Sequence, residues 1–176
     1  NYKNYDTVVC NLGVDQIPES AFDSIEIVFH LAGYTHDIEN DGTRDVIYQE
    51  VNVKATKELI KVAAKKRVGK FIFISSAKAG GINNQIASMS EDDQLDPKDI
   101  YGKTKREAEV SILKIGNDYG IHVSIIRPAL VYGINMKGNL AFMLSSIKSG
   151  WFPPLPETNN QRSMISVLDL VSAIML

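Results

Sequence analysis

Residues 101–105 read Tyr-Gly-Lys-Thr-Lys, and this stretch determines how we interpret the rest of the chain. It opens a predicted helix over about 100–119, whose apolar stripe at helical spacing comprises Tyr101, Ala108, Ile112 and Ile115. Lys105 falls on the same stripe, where a buried ammonium group is unfavourable unless another group compensates its charge. We therefore expect the side chains of Tyr101 and Lys105 to lie side by side and to face the body of the domain.

A tyrosine beside a lysine can act as an acid–base group. The pKa of free tyrosine is about 10, and a neighbouring ammonium group lowers it because it favours the phenolate. A shift of about 3 units corresponds to roughly 4 kcal/mol, and it would allow proton transfer near neutral pH. The alternative is a lysine that snorkels from the end of a helix beside a half-buried tyrosine. The short pattern alone does not decide between the two.

Short apolar runs alternate with segments of helical spacing along the chain. We predict strands at 7–12, 25–32, 70–75, 121–126 and, more briefly, 162–165. Helices are predicted at about 45–66, 100–119, 140–148 and from 167 onward, and a loop at 77–98. This order predicts an α/β fold, a parallel sheet with helices on both faces. Ligands bind at the carboxyl ends of the strands in such sheets.

Composition excludes several classes of function. The 176 residues are 44% hydrophobic and 23% charged, which is typical of one ordinary globular domain. A formal net charge of -2 provides no electrostatic reason to expect nucleic acid. No apolar run approaches membrane-spanning length, and no signal peptide is visible. The single cysteine, Cys10, fits a reducing compartment, so we expect a cytoplasmic protein that does not bind membranes.

Three polar residues have both a structural and a functional interpretation. Ser76 is either a loop serine or a donor to the substrate oxygen that Tyr101 deprotonates. Asn52, on an apolar helical stripe, is either a satisfied core amide or a brace for the end of a strand beside a cofactor. Arg162 is either a surface arginine or a bidentate phosphate ligand.

The histidines do not suggest a metal site. His30, His36 and His122 lack the spacing of metal ligands, so we interpret them as structural and expect no metal. A Ser-His-Asp hydrolase is not supported either, because no Gly-x-Ser-x-Gly turn occurs.

Taken in order, these segments resemble the extended short-chain dehydrogenase/reductase family, in particular its nucleotide-sugar 4-epimerases and 4-ketoreductases. The segments that carry the resemblance are Val28–Gly33, Glu50–Thr56, Phe71–Ser76, Tyr101–Lys105, Ile126–Gly133, Gly138–Leu140 and Arg162–Asp169. The resemblance covers nearly the whole chain. It implies a Rossmann-like, doubly wound parallel sheet that lacks its first strand–helix–strand unit, followed by part of a small C-terminal substrate-binding region.

The resemblance also implies roles for individual residues. The catalytic residues would be Ser76, Tyr101 and Lys105. The cofactor, NAD with NADP not excluded, would contact Asn11, Leu12, Leu31, Ala32, Gly33, Tyr34, Asn52, Ile74, Ser75, Tyr101, Lys105, Pro128 and Val131. The nucleotide-sugar substrate would contact Ser76, Ala77, Asn139, Leu140 and Arg162. The domains would be 1–127, a partial NAD(P)-binding domain, and 128–176, a partial substrate-binding region.

Four departures from the family pattern qualify these expectations. The Gly-x-x-Gly-x-x-Gly turn is absent, so we expect the chain by itself to bind cofactor poorly and to be inactive. Asn11 replaces a common aspartate that faces the adenine. Ala77-Lys78 replaces the Asp-Glu of relatives that dehydrate the sugar, which argues against a 4,6-dehydratase. Ala79-Gly80 replaces a common Val-Tyr in the substrate loop.

The predicted activity is that of a UDP-hexose 4-epimerase or 4-ketoreductase, with Tyr101 as the general acid–base. A steroid- or flavonoid-type oxidoreductase would share the fold and the Tyr101–Lys105 pair but would lack Arg162. A non-catalytic, dinucleotide-sensing regulator would usually have lost the catalytic tyrosine or lysine. By the same resemblance, the helices at 45–66 and 100–119 would pair in a homodimer.

Overall fold

The computed structural model describes residues 5–35, 44–81, 90–93, 95–136, 138–152 and 162–176, without the side chains of Arg44 and Asn139. The chain forms two compact units, Asn1–Arg127 and Pro128–Leu176. The cofactor-binding and substrate-binding roles that we expect for these two parts stay predictions.

The first unit is built on three parallel strands. The strands β1 (Ile27–His30), β2 (Lys70–Ile74) and β3 (His122–Ile126) lie in the order β1-β2-β3. Val28, Phe71 and Val123 are neighbours across the sheet, as are His30, Phe73 and Ile125. The predicted parallel sheet is therefore confirmed, with each predicted strand shortened by one to four residues at its ends.

Helices connect these strands. After β1 the chain forms α1 (Arg44–Tyr48), a π-helical segment (Gln49–Lys54) and α2 (Ala55–Lys65), and after β2 it forms α3 (Ile100–Tyr119). The side chain of Asp99 caps α3 by accepting a hydrogen bond from the Gly102 amide at 2.7 Å. The helix ends at Gly120, whose φ of 72° is a left-handed conformation that glycine adopts without strain.

The hydrophobic core lies between the sheet and two helices. Its fully buried side chains include Ile60 and Ala63 of α2, Phe71 and Phe73 of β2, and Ala108 and Ile112 of α3. The register places Phe71 and Phe73 on the same face as Val28, which packs against this core. The opposite face carries Ile27 and Phe29, which are 42% and 39% exposed. Both α2 and α3 therefore cover the same face of the sheet, whereas we predicted helices on both faces; in the part of the chain that the structure describes, Ile27 and Phe29 on the other face stay partly exposed.

The second unit is smaller. A pair of short parallel strands, β4 (Leu130–Tyr132) and β5 (Met164–Ser166), accompanies α4 (Asn139–Lys148) and α5 (Val167–Ile174). The hydroxyl of Ser166 caps α5 by accepting a hydrogen bond from the Leu168 amide at 3.2 Å. The predicted strand near 162–165 and both predicted helices of this unit are confirmed, whereas β4 was not predicted as a separate strand.

One predicted strand is wrong. Residues 7–12 form no strand in the part of the chain that the structure describes, and Val8 and Val9 are 51% and 92% exposed. An apolar run becomes a strand only when neighbouring strands satisfy its backbone hydrogen bonds, and the sheet order β1-β2-β3 does not include this segment.

Two further details of the prediction change. The helix predicted over 45–66 contains the π-helical segment at Gln49–Lys54, which apolar spacing does not reveal. The predicted loop at 77–98 begins with a short 3₁₀-helix, Ala77–Gly80. Residues 82–89 and 94 of that loop lie outside the described residues.

Candidate active site

The two residues of the Tyr-x-x-x-Lys pattern lie on the first turns of α3. Lys105 is only 3% exposed, and Tyr101 is half-buried. The rest of the stripe is also confirmed, because Ala108 and Ile112 are fully buried. The helix therefore directs both residues toward the body of the first unit, as the stripe predicted.

Lys105 is held at the end of β2. Its Nζ donates a hydrogen bond to the Ile74 carbonyl at 2.9 Å and lies 4.5 Å from the centroid of the Phe73 ring. Burial lowers the pKa of Lys105 to about 8, and the negative charge of Glu109 opposes this effect. The ammonium group is thus desolvated but satisfied, and it is still protonated at neutral pH.

Ser76 follows β2 and lies beside Tyr101. Its hydroxyl accepts a hydrogen bond from the Lys78 amide at 3.3 Å and is close enough to the Tyr101 side chain to lower the pKa of Tyr101. The structure therefore brings Ser76 together with Tyr101 and Lys105 of α3, although Ser76 lies 25 positions before Tyr101 in the chain. Their catalytic roles stay predictions.

The expected pKa shift of Tyr101 has the opposite sign in this structure. Burial raises the pKa of Tyr101 above its usual value, and the hydrogen bond to Ser76 opposes this only in part. The charges of Tyr48 and Asp99 raise it further. The expectation that the lysine dominates is therefore wrong here, because Lys105 is directed to the Ile74 carbonyl and desolvation outweighs the attraction between charges.

Asn52, in the π-helical segment, braces the end of β1. Its Oδ1 accepts a hydrogen bond from the Tyr34 amide at 2.7 Å, and its Nδ2 donates to the Tyr34 carbonyl at 3.1 Å. The same Nδ2 donates to Oγ1 of Thr104 on α3 at 3.2 Å. Asn52 is thus satisfied and also holds the strand end, so both predicted interpretations describe part of its role. That this strand end faces a cofactor stays a prediction.

Gly33 and Ser75 lie after β1 and β2, at the same end of the sheet as Lys105. A Cβ on Gly33 would lie 3.2 Å from Nζ of Lys105 and 3.3 Å from Oδ1 of Asn52, so glycine allows the close approach. Ser75 is 3% exposed, and its Oγ has no hydrogen-bond partner among the described residues. A buried hydroxyl without a partner is unfavourable, which marks this position as one where a ligand group could bind.

Sequence reasoning missed a buried ion pair next to Lys105. Glu109, one turn further along α3, is 2% exposed and binds Arg127 through both carboxylate oxygens, at 2.9 Å and 2.6 Å. The hydrogen bond raises the pKa of Arg127. The available signal was the position of Glu109 on the apolar stripe, where an acid needs a partner.

Sequence analysis also did not predict the contacts of Lys78 at the start of α3. Nζ of Lys78 lies 5.9 Å from the centroid of the Tyr101 ring and 2.8 Å from Oδ2 of Asp99. Burial raises the pKa of Asp99, but the hydrogen bonds from Lys78 and from the Gly102 amide outweigh it and hold the pKa below its usual value. The sequence placed Lys78 next to Ser76 but did not predict that it would face Tyr101.

Other predicted contact residues lie in various surroundings. Asn11 is in an exposed turn, where its carbonyl accepts from the Asp15 amide at 2.8 Å, and Leu12 packs partly against the core. Leu31, Ala32 and Ala77 are exposed. Pro128, Val131, Leu140 and the exposed Arg162 belong to the second unit, and the Asn139 side chain lies outside the described residues.

The histidines have structural surroundings where they are described. His30 is buried, hydrogen-bonded through Nε2 to Oγ1 of Thr56 at 2.8 Å and stacked on Phe73. His122 is exposed, and His36 lies outside the described residues. Among the residues that are described, no group of three or more His, Cys, Asp or Glu side chains could hold a metal ion. None of the described helices combines the length and apolarity that crossing a membrane requires.

Comparison with known families decides the classification. Residues 5–176 match the model of the NAD dependent epimerase/dehydratase family. The chain belongs to this family. This is a family of nucleotide-sugar epimerases and dehydratases, so the predicted family and fold class are confirmed.

Two curated relatives are epimerases. The chain is 35% identical over 153 residues to a UDP-glucose 4-epimerase of Vibrio cholerae. The aligned region covers 84% of this chain and 46% of the relative. It is also 31% identical over 130 residues to an N-acetyl-alpha-D-glucosaminyl-diphospho-ditrans,octacis-undecaprenol 4-epimerase of Escherichia coli O157:H7. That aligned region covers 73% of this chain and 39% of the relative. The chain therefore spans less than half the length of these relatives.

The fold is also found in solved structures. MoeE5 in complex with UDP-glucuronic acid and NAD matches with a TM-score of 0.76 at 26% identity, over 89% of this chain and 53% of that one. A UDP-N-acetylglucosamine 4-epimerase from Methanobrevibacter ruminantium M1 matches with a TM-score of 0.79 at 22% identity, over 96% and 56%. The second likeness concerns the fold alone.

Proposed function

We propose that the protein is an NAD-dependent nucleotide-sugar 4-epimerase that acts on a UDP-hexose. The observation that carries the proposal is the cluster of Ser76, Tyr101 and Lys105 at the end of β2, where the Lys105 ammonium group donates to the Ile74 carbonyl at 2.9 Å. The similarity to the Vibrio cholerae UDP-glucose 4-epimerase supports the choice of reaction.

In this proposal Tyr101 is the general acid–base of the reaction. As the phenolate, Tyr101 takes the proton from the C4 hydroxyl of the sugar through Oη when that carbon is oxidised, and the resulting phenol returns the proton when the ketone is reduced. The hydroxyl of Ser76 orients the C4 oxygen, and its interaction with the Tyr101 side chain favours the phenolate because it lowers the pKa of Tyr101. The raised pKa of Tyr101 favours the protonated phenol, so Tyr101 is an acid in this structure and becomes a base only after it has lost this proton.

The polar groups at the end of the sheet fit the ribose and nicotinamide end of NAD. The hydroxyl of Ser75, which has no partner among the described residues, and the ammonium group of Lys105 provide donors for the hydroxyls of a ribose, and Gly33 lets the backbone approach Lys105 closely. When bound, the nicotinamide supplies the hydride acceptor and donor. The Gly-x-x-Gly-x-x-Gly turn that would hold the pyrophosphate does not occur in these 176 residues. We propose NAD, with NADP as the alternative.

The remaining expectations belong to the same proposal. Asn139, Leu140 and Arg162 of the second unit would contact the diphosphate of the nucleotide sugar, with Arg162 as a bidentate ligand. We also propose that the protein is a cytoplasmic homodimer, in which α1, α2 and α3 of one protomer pack against the same helices of its partner.

The test uses the protein at its natural length with NAD and UDP-glucose or UDP-N-acetylglucosamine. We expect 4-epimer formation without net change in reduced cofactor. Tyr101→Phe should lower kcat by at least about 100-fold, because general acid–base groups contribute roughly that much. Tyr119→Phe, at an exposed position on the same helix, is the matched control and should leave kcat unchanged. Full turnover by Tyr101→Phe would contradict the assignment.

A 4-ketoreductase is the second candidate, because the same residues could reduce a 4-keto-6-deoxy sugar with stoichiometric consumption of reduced cofactor. Following cofactor absorbance and sugar product together distinguishes the two reactions. Activity on a steroid or flavonoid alone, unaffected by Arg162→Ala, would favour the oxidoreductase alternative. A lack of activity on all these substrates would favour a regulator.

A further inference from the structure

The loop after β2 places a cation beside the proposed catalytic tyrosine. Lys78 lies in the 3₁₀-helix that begins directly after Ser76, and its Nζ is 5.9 Å from the centroid of the Tyr101 ring. Its side chain is 52% exposed, so the ammonium group is accessible to a ligand. A ligand bound against the Tyr101 ring is therefore within reach of this ammonium group.

Asp99 positions Lys78 without using all of its donors. Oδ2 of Asp99 accepts from Nζ of Lys78 at 2.8 Å, and Oδ1 accepts from the Gly102 amide at 2.7 Å. Asp99 also caps the N-terminus of α3, whose partial positive charge stabilises the carboxylate. An ammonium group has three N–H donors, and Asp99 needs one of them. The remaining donors can bind a second acceptor.

Charged groups of both signs surround Tyr101. Lys78 and Lys105 contribute positive charge at this end of the sheet, and so does the N-terminus of α3. Of the acids that the structure describes here, Asp99 is held by the helix N-terminus and Glu109 is buried against Arg127. Because Asp99 raises the pKa of Tyr101, the positive charge available to a substrate carboxylate is the exposed ammonium group of Lys78 rather than the surroundings of Tyr101 as a whole.

We propose that Lys78 binds a carboxylate of the substrate, and that the substrate is a nucleotide-linked hexuronic acid. The inference rests on the proposed reaction at C4, because C6 is separated from C4 only by C5. A carboxylate at C6 therefore lies next to the reacting carbon, within reach of the flexible lysine side chain. A neutral hydroxymethyl group at C6 would form a weaker hydrogen bond with the same ammonium group, since charge-assisted bonds are the stronger ones.

The experiment compares UDP-glucuronic acid with UDP-glucose in the protein at its natural length, with NAD. We expect the wild type to have the higher kcat/KM for the acid. Lys78→Gln should lower kcat/KM for the acid by roughly 10- to 100-fold, through KM, and change that for UDP-glucose by less than about 3-fold. Lys78→Arg keeps the charge and should retain most of the preference.

Lys103→Gln is the matched control, because Lys103 is exposed on α3 and lies two positions after Tyr101, on a different side of the helix. Lys103→Gln removes the same charge and should leave kcat/KM unchanged for both substrates. Equal losses for both substrates in Lys78→Gln would show a merely structural role and overturn the proposal. A wild type that epimerises UDP-glucose but not the acid would overturn it while the proposed function stands. Inactivity on both sugars would overturn the proposed function itself.

Discussion

Burial, more than pairing between charges, sets the direction of the pKa shifts of Tyr101, Lys105 and His30. Tyr101 illustrates it, because desolvation raises the pKa of the phenol although Lys105 lies on the next turn of the same helix. His30 illustrates it as well. Burial, with a smaller effect of the Lys105 charge, lowers the pKa of His30 to about 4 from an ordinary value of 6.5.

His30 should therefore make the stability of the fold sensitive to acid. Between about pH 6.5 and about pH 4 the unfolded chain binds a proton at His30 that the native state does not, so the free energy of unfolding falls as pH falls. The full effect is about 3 kcal/mol for a shift of this size. His30→Gln should be less stable at neutral pH but should lose less stability on acidification. Urea unfolding at about pH 7 and pH 4.5 measures the difference.

His122→Gln is the control for this prediction, because His122 is exposed and its loss should leave the pH dependence as in the wild type. An identical pH dependence in the wild type and in His30→Gln would contradict the assignment.

Gly102 is required by a close approach rather than by its backbone freedom. A Cβ at this position would lie 2.7 Å from the Lys78 carbonyl oxygen and 3.0 Å from Cβ of Pro97. Gly102→Ala should therefore destabilise the protein by roughly 1 to 3 kcal/mol. Helix propensity alone predicts the opposite sign, a gain of about 1 kcal/mol.

Thermal unfolding measures the effect of Gly102→Ala, and Asn117→Ala is the matched change at an exposed position of α3. Asn117→Ala should be neutral or slightly stabilising. A gain in stability for Gly102→Ala would show that the loop carrying Lys78 can move away.

At the scale of elements, α3 is the helix that organises the site. It carries Tyr101 and Lys105, receives the hydrogen bond from Asn52 through Thr104, and is tied to the end of β3 by the Glu109–Arg127 ion pair. The ion pair fixes the position of α3 along the direction of the strands. The reach of Lys105 to the end of β2 depends on that position.

Breaking this ion pair should be much more harmful than replacing it. Glu109→Met should cost about 3 to 5 kcal/mol, since it leaves the Arg127 charge partly buried without a partner. The double variant Glu109→Met and Arg127→Met should be more stable than either single variant. A double-mutant cycle by chemical denaturation measures the coupling.

The exposed pair of Lys57 and Glu107 provides the comparison on the same helix. Glu107→Gln should change the free energy of unfolding by less than about 1 kcal/mol. Additive losses in the Glu109 and Arg127 cycle would mean that the two residues stabilise the fold separately.

At the scale of the whole molecule, apolar side chains on the outer faces of the helices agree with the proposed homodimer. Val110 and Leu113 on α3 are 61% and 49% exposed, and Val46 on α1 is 60% exposed. The double variant Val110→Asp and Leu113→Glu should convert a dimer to a monomer, because it would bury charges in the interface. Light scattering at several protein concentrations measures the mass.

Leu168→Glu, on α5 of the second unit, is the control, because Leu168 is 72% exposed but lies outside these helices. It should leave the mass unchanged. A monomeric wild type, or a double variant that stays dimeric, would contradict the proposed interface.

Local spacing determined most of the elements of this protein. The helix Ile100–Tyr119, with Tyr101 and Lys105 facing inward, and the parallel strands β1, β2 and β3 follow from apolar periodicity, because that periodicity reports which face of an element is buried. The order of the motifs, together with their residues, was sufficient to predict the family. Local spacing was not sufficient at 7–12, where a strand required neighbours that the sheet does not provide.

Only the tertiary structure decided which distant groups meet. Asn52 and Thr104 are 52 positions apart, and Glu109 and Arg127 are 18 apart, so no local pattern could pair them. The same holds for Lys78 beside Tyr101, and for the sign of the Tyr101 pKa shift, which depends on how much water the surrounding elements exclude. Periodicity is a property of neighbours along the chain, whereas desolvation and ion pairing are properties of neighbours in space.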